Sequence, residues 1–234
     1  MEIRLANSGD NAGERDYVGI ALRYAREVAT GKIIACKWVK LACERHLRDL
    51  AAEQSNPDWP YRWADGEAYN ICSFAEQLPH IEGKWDSPTI VLEPWQIFCL
   101  TCVFGWRRKI DGGRRFSKVY WEVARKNAKS TIAAVVSLYC LCCEDEPAPY
   151  VLIGASTGEQ AQKVFHPCRM MVLKTPALAE EFDLKAWAKS ITLGAAAATS
   201  SRSTPRARRR TATTRTWACW TSCMHIRTAG SMTS

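Results

Sequence analysis

The sequence predicts an α/β fold in which a helical N-terminal region precedes a parallel sheet with flanking helices, and in which that sheet is left incomplete. Three observations lead there. Apolar residues recur at helical spacing three times before residue 80. From Ser117 onward a strand, a helix, a second strand and a second helix follow one another within about 60 residues, the order of right-handed parallel crossovers. Beyond Leu193 the composition can no longer build a core. The chain therefore divides into a helical subdomain over 1–85, a sheet domain over 86–193 and a disordered basic tail over 194–234.

In order, residues 1–13 are polar and rich in Gly and Asn, which predicts a frayed start. From Glu14, Tyr17, Ile20, Ala21, Tyr24, Ala25 and Val28 mark one helix that Gly31 stops. A second helix is expected from Cys36 to Gln54, with Val39, Ala42, Cys43 and Leu50 on its apolar face. Pro57 and Pro60 in NPDWPYRW make a rigid connection on which tryptophans pack. A third helix from Gly66 to Leu78 carries Ala68, Ile71, Cys72, Ala75 and Leu78 on one face. After Pro88 and Pro94 an apolar run from Trp95 to Trp106 reads as a fourth helix, and IDGGRRF as a hairpin turn.

Val119, Trp121 and Val123 then alternate with Lys118, Tyr120 and Glu122, a period of two that predicts a strand ending near Ala124. The loop Arg125-Lys126-Asn127-Ala128 follows, and from Lys129 a helix runs with Thr131, Ala133, Ala134, Leu138 and Leu141 facing a core. Tyr150 to Ala155 is expected to be a buried strand, Ser156 to Gly158 a turn, and a further helix starts near Glu159.

The 47% hydrophobic content and ten tryptophans suffice for a globular core. The longest apolar run, Thr131 to Cys143, falls short of the roughly 20 residues that cross a bilayer, and the N-terminus has no signal-peptide core, so a soluble cytoplasmic protein is expected. Eleven cysteines, odd in number and placed mostly in apolar helical windows such as Cys36, Cys43, Cys72 and Cys140, read as buried free thiols. Cys99 and Cys102 form a CxxC without flanking turn residues, and no histidine completes a zinc pattern. The net charge of +8 belongs to the tail. Residues 194–234 hold seven arginines and no acid, which leaves 25 basic against 24 acidic residues in the first 193.

Strand, short loop, then Lys129-Ser130-Thr131 opening a helix is the arrangement that cradles phosphate. Amides at a helix N-terminus point at an anion, a lysine there reaches β- and γ-phosphates, and a serine hydroxyl holds Mg2+. Val123 and Ala128 stand where G-x-x-x-x-G-K-[ST] has its glycines, so the bare motif fails, and a Lys-Ser pair also suits an ordinary solvated first turn. Gln96 beside Trp95 has a carboxamide that can both donate to and accept from an adenine edge, although such a residue also suits a helix surface.

Four ordered segments together resemble the large subunit of tailed-phage terminases, the ATPase that drives DNA into a procapsid. They are GKWDSPTIVLEPWQ, similar to the family's adenine-contacting segment; FGWRRKIDGGRRF, similar to the hairpin after it; VARKNAKST, similar to its deviant phosphate loop; and ASTGEQAQKVF, similar to the next strand and helix. They lie within residues 80–175. The resemblance implies a P-loop NTPase that binds ATP and Mg2+, with Gln96 for adenine, the loop Arg125, Lys126, Asn127, Ala128, Lys129, Ser130 and Thr131 around the phosphates, Ser130 on Mg2+ and Arg125 on transition-state charge at the γ-phosphate. The partners it implies are double-stranded DNA, a portal protein and a small terminase subunit, in a bacterial host's cytoplasm.

The family's next landmark is an apolar strand ending in Asp-Glu, where Asp supports Mg2+ and Glu orients the attacking water. Past Leu193 this chain has none, and Ile226 is the only aliphatic side chain larger than Ala. Regrouping each codon's third base with the first two bases of the next codon makes the stretch from Trp217 to Gly230 compatible with GxLDELHAHPDGG. The tail is thus read as out-of-frame translation beginning close to Leu193. Lacking Asp-Glu and the family's carboxylate-rich nuclease domain, the chain is expected to be inactive; the competing expectation is a non-catalytic module that holds nucleic acid with its Arg-rich tail.

Overall fold

The computed structural model describes residues 15–144, 149–194 and 210–214, which fall into two compact units, one from residues 15–76 and 91–116, the other from 77–90 and 117 onward.

In the first unit, helix α1 (Tyr17–Ala29) begins where the Asp16 carboxylate accepts the Gly19 amide at 2.8 Å, and it buries Tyr17, Ala21, Ala25 and Val28 as one row. Thr30 and Gly31, the latter at φ 78°, end it. Helix α2 (Lys37–Ser55) does not bury the apolar face expected of it. Its inner row is Cys43, His46 and Asp49, while Val39, Ala42 and Leu50 are half-buried. The polar members are tolerated because each has a partner: the Trp106 indole N–H donates to His46 Nδ1 at 3.1 Å, and Arg115 pairs with Asp49 at 2.7 Å. Arg115 also lies 4.2 Å from the centre of the Tyr61 ring. Cys36, counted among the buried thiols, is exposed, because it caps α2 rather than lying inside it.

The connection NPDWPYRW contains a strand that its prolines hid. Strand β1 (Tyr61–Trp63) pairs antiparallel with β2 (Trp106–Arg108), Trp63 opposite Trp106. Helix α3 (Asp65–Gln77) buries Ala68, Ile71, Cys72, Phe74 and Ala75, and helix α4 (Pro94–Gly105) starts with proline at its first turn. A Cβ on Gly105 would sit 2.9 Å from the Trp63 ring, so only glycine lets α4 run into β2 there. The turn in IDGGRRF forms: the Arg108 amide donates to the Gly113 carbonyl at 2.8 Å and Gly112 takes φ 69°. No second strand follows it, only a bridge between Arg107 and Arg114.

In the second unit the strand expected to end near Ala124 is absent. Residues 118–124 make no ladder, although Val119, Trp121 and Val123 remain half-buried between exposed Lys118, Tyr120 and Glu122. Alternation survives without a strand because a strand exists only when a neighbour pairs with its backbone. Helix α5 (Lys129–Cys142) follows, then β3 (Tyr150–Ile153), α6 (Gly158–Lys174), α7 (Pro176–Glu181), β4 (Leu184–Ala186) and β5 (Ser190–Leu193). Tyr150 and Leu152 of β3 are exposed, so the buried strand expected here shows one face to solvent.

The wholly parallel sheet is also corrected. A strand β6 (Arg210–Thr214) lies between β3 and β5, parallel to the first and antiparallel to the second, and β5 pairs antiparallel with β4. This places five residues of the tail, expected to be disordered throughout, in a ladder. Thr211, Thr213 and Thr214 are β-branched, and such a run suits an open slot whose flanking strands present backbone groups. The rest of that expectation, beyond Gly194, lies outside the described residues, as does the stretch Trp217–Gly230 in which the shifted frame was read. Among the described residues no helix is long and apolar enough to cross a membrane, and no cluster of His, Cys, Asp or Glu could hold a metal ion.

Candidate functional site

The site begins with a rigid helix whose first turn is open. From Ile132 to Leu141, α5 buries nine side chains, and Cys168 Sγ of α6 donates to the Ala134 carbonyl at 3.6 Å. A helix apolar on nearly all sides is fixed by its surroundings, so its N-terminus is a stationary point. The first bond within the helix runs from the Ile132 amide to the Ala128 carbonyl at 2.9 Å. Ala128 has no side-chain acceptor, and among the described residues no side-chain cap forms at this helix start. The N–H groups of the first turn and the positive end of the helix dipole lie at the loop that precedes α5.

The loop before them is shaped for the same purpose. Lys126 takes φ 67° and Ala128 φ 53°, both in the left-handed region that non-glycine residues avoid. Each costs on the order of 1–2 kcal/mol relative to ordinary backbone. Such a conformation, twice within three residues, curves the loop sharply just ahead of the helix. Ala128 adopts it at the position of the second glycine in the phosphate-loop pattern, so the backbone keeps the glycine conformation without the glycine. Asn127 braces the curve, its Nδ2 donating to the Ala124 and Arg125 carbonyls at 3.2 and 3.3 Å. Sequence reasoning placed Asn127 in the loop around the phosphates but not as a brace; an amide next to two basic residues in a tight turn was the available signal.

Arg125, Lys126 and Lys129 put three cations on this loop and the helix start, and among the described residues none of them pairs with a carboxylate. The Ser130 hydroxyl stands on the first turn of α5 behind Lys129. Uncapped amides, a curved loop and three cations match a polyphosphate, and a hydroxyl beside them suits a hard divalent cation bound to that polyphosphate.

Gln96 is placed differently from the loop residues. It lies in the first compact unit, on α4, and is only 5% exposed. Its Oε1 accepts the Glu93 amide at 2.9 Å while the Glu93 carboxylate accepts the Gln96 amide, a reciprocal capping box. The spacing Glu93-x-x-Gln96 with Pro94 between was the legible signal for this, and it was missed. The carboxamide oxygen thus has a structural task, which leaves its NH2 as the group able to donate elsewhere.

Residues 94–194 match the family described as terminase large subunit, ATPase domain, and the match spans α4, the loop, α5, β3 and α6. Neither the curated proteins nor the solved structures yield a match.

Proposed function

We propose that this chain, whose residues 94–194 belong to the terminase large-subunit ATPase domain family, binds ATP with Mg2+ at the loop 125–131 and derives from the motor that packages viral DNA. The observation that supports the reading is the first turn of α5, which has no side-chain cap among the described residues and stands behind two positive-φ residues, because it leaves several backbone donors at the loop. Lys129 would reach the β- and γ-phosphates, the amides of Ala128 to Thr131 would hold them, and Ser130 would hold Mg2+. Arg125 at the loop's entrance would offset charge at the γ-phosphate, and Gln96 would donate to adenine through its NH2. Bound Mg2+ would neutralise phosphate charge.

Binding and turnover part company here. Residues 184–234 contain no carboxylate, so within them nothing can orient a water or support Mg2+ as the family's Asp-Glu does, and nothing can build a two-metal nuclease site. These 234 residues are therefore proposed to bind ATP weakly and not to hydrolyse it. Double-stranded DNA, a portal protein and a small subunit are the partners of the intact motor, in the cytoplasm of a phage-infected or prophage-carrying bacterium.

The test is equilibrium binding of ATP and of tripolyphosphate with Mg2+, together with phosphate release. Lys129→Ala should weaken both ligands about tenfold or more, because it removes a charge-assisted contact worth roughly 1.5–3 kcal/mol. Unchanged affinity would refute the loop as the site. Phosphate release abolished by Lys129→Ala would refute inactivity.

A further inference from the structure

We propose, resting on the nucleotide reading above, that Glu76 is a positioning residue for Gln96. Through Arg15 and the peptide joining Leu92 to Glu93, it keeps the Gln96 carboxamide in the orientation that leaves its NH2 for a nucleobase. Every residue involved belongs to the first compact unit.

Glu76 stands in the last turn of α3, where a negative charge opposes the helix dipole, and that turn carries no basic residue. Its partners supply the reason for a carboxylate there. Arg15 Nη1, just before α1, donates to it, as does the Tyr17 hydroxyl at 2.8 Å; the Leu92 amide donates at 2.8 Å from the segment that enters α4. Three donors converge on one side chain, which only an acceptor-only group satisfies together.

Arg15 passes the constraint on. Its Nη2 donates to the Leu92 carbonyl at 3.1 Å, and the N–H of that same peptide, the Glu93 amide, donates to Gln96 Oε1 at 2.9 Å. One planar group thus has a guanidinium on its oxygen and the carboxamide on its nitrogen. Because the plane does not twist, holding the carbonyl holds the N–H, and the N–H selects the oxygen end of the carboxamide. A charged donor on the carbonyl also polarises the peptide and strengthens the bond that its N–H donates. Without Arg15 and Glu76 the peptide is free to tilt, and Gln96 can turn its oxygen instead of its NH2 toward a base. Stapling α1 to α3 is the plainer role of the same contacts. A staple alters stability alone, whereas a positioning residue alters base binding relative to phosphate binding.

The experiment is equilibrium binding of ATP and of tripolyphosphate, each with Mg2+, to the whole chain and its variants. Glu76→Gln keeps the shape but replaces one acceptor by a donor, and it should weaken ATP about threefold or more while leaving tripolyphosphate unchanged. Gln96→Ala should show the same pattern, and the double variant should lose no more than either single one, since both act through one contact. Arg15→Met breaks the path at its more exposed end and keeps the test open if Glu76→Gln fails to fold. Tyr17→Phe removes a donor that does not touch the peptide, so it should lower stability and keep the parental ratio of the two affinities. A parental ratio in Glu76→Gln and Arg15→Met, equal loss of both ligands, or additive losses in the double variant would overturn the proposal while Gln96→Ala still shows its own loss. Gln96→Ala that binds ATP like the parent would overturn the base contact itself, and this role of Glu76 with it. Lys129→Ala, which should weaken both ligands, reports on the phosphate loop separately.

Discussion

At the scale of single residues, the candidate site rests on a backbone conformation that its side chain resists. Ala128 holds φ 53° at the head of α5, a region where a Cβ crowds the following carbonyl. Ala128→Gly should therefore stabilise the chain by about 1 kcal/mol against chemical denaturation, net of the entropy glycine adds to the unfolded state. It should also bind tripolyphosphate no worse than the parent. A loss of stability would mean that the left-handed geometry is not what this position holds in solution. A second residue-scale prediction concerns His46, whose pKa is lowered from 6.5 to about 4, mainly by burial, with Arg45 and Arg115 adding to the effect and Asp49 opposing it. The folded state keeps this imidazole neutral, whereas the unfolded chain protonates it near pH 6.5. Its contribution is whole above pH 6.5, is lost as pH falls from 6.5 to about 4, and changes no further below that. The full loss is about 3 kcal/mol. Denaturant midpoints followed by tryptophan fluorescence should drop across that window, and His46→Gln, which can still accept from Trp106, should flatten the drop. A parent midpoint constant from pH 7 to 4 would contradict the burial of a neutral His46.

At the scale of elements, helices α1 and α3 were legible because each buries a row of side chains that the sequence writes at 3.6-residue spacing. The row Ala68, Ile71, Cys72, Ala75 and Leu78 is buried as read. Where the reading failed, the deciding partner lay far along the chain. His46 and Asp49 line the inner face of α2 because of Trp106 and Arg115, about 60 residues away, and no local pattern announces that. Residues 119–123 have the alternation of a strand but no ladder, and Tyr61–Trp63 lacks a strand's pattern yet pairs with Trp106–Arg108. Pairing is a property of two segments, and periodicity describes one. The loop from Arg125 to Thr131 was legible as a candidate, whereas its left-handed turns and the Asn127 brace were not, since they are backbone choices that no single side chain demands. The capping box of α4 gives the element-scale prediction. Glu93→Ala removes the reciprocal cap and should cost about 1 kcal/mol of stability with ATP affinity otherwise intact. Gln96→Ala should cost the same stability and, through its lost NH2, weaken ATP while leaving tripolyphosphate unchanged. If Gln96→Ala and Glu93→Ala prove indistinguishable in ATP affinity, Gln96 is a capping residue only.

At the scale of the whole molecule, the proposed loss of frame close to Leu193 bears on the sheet of the second unit. The order β3-β6-β5-β4 puts Arg210–Thr214 next to β3, and its sequence RTATT has no aliphatic residue larger than alanine. A strand of that composition can complete a ladder of backbone hydrogen bonds, but it has little apolar surface to bury, at roughly 25 cal/mol per Å2. The shifted frame from Trp217 is instead compatible with GxLDELHAHPDGG, with leucines before and after an Asp-Glu pair. Restoring the frame close to Leu193 would thus change two properties together. An apolar strand would replace a threonine-rich one, raising stability, and a carboxylate pair would enter a chain that has none after Asp183. The expected outcome is a restored chain that unfolds at higher denaturant concentration and releases phosphate from ATP with Mg2+, an activity that Lys129→Ala or conversion of the new Glu to Gln abolishes. Stability that rises without turnover would mean that the strand was supplied but that the loop 125–131 is not its catalytic counterpart. Turnover already present in the unrestored chain and lost in Lys129→Ala would mean instead that the 234 residues hold a water-activating group outside the shifted frame. Measuring both properties on the same pair of proteins separates the folding consequence of the lost strand from its chemical one.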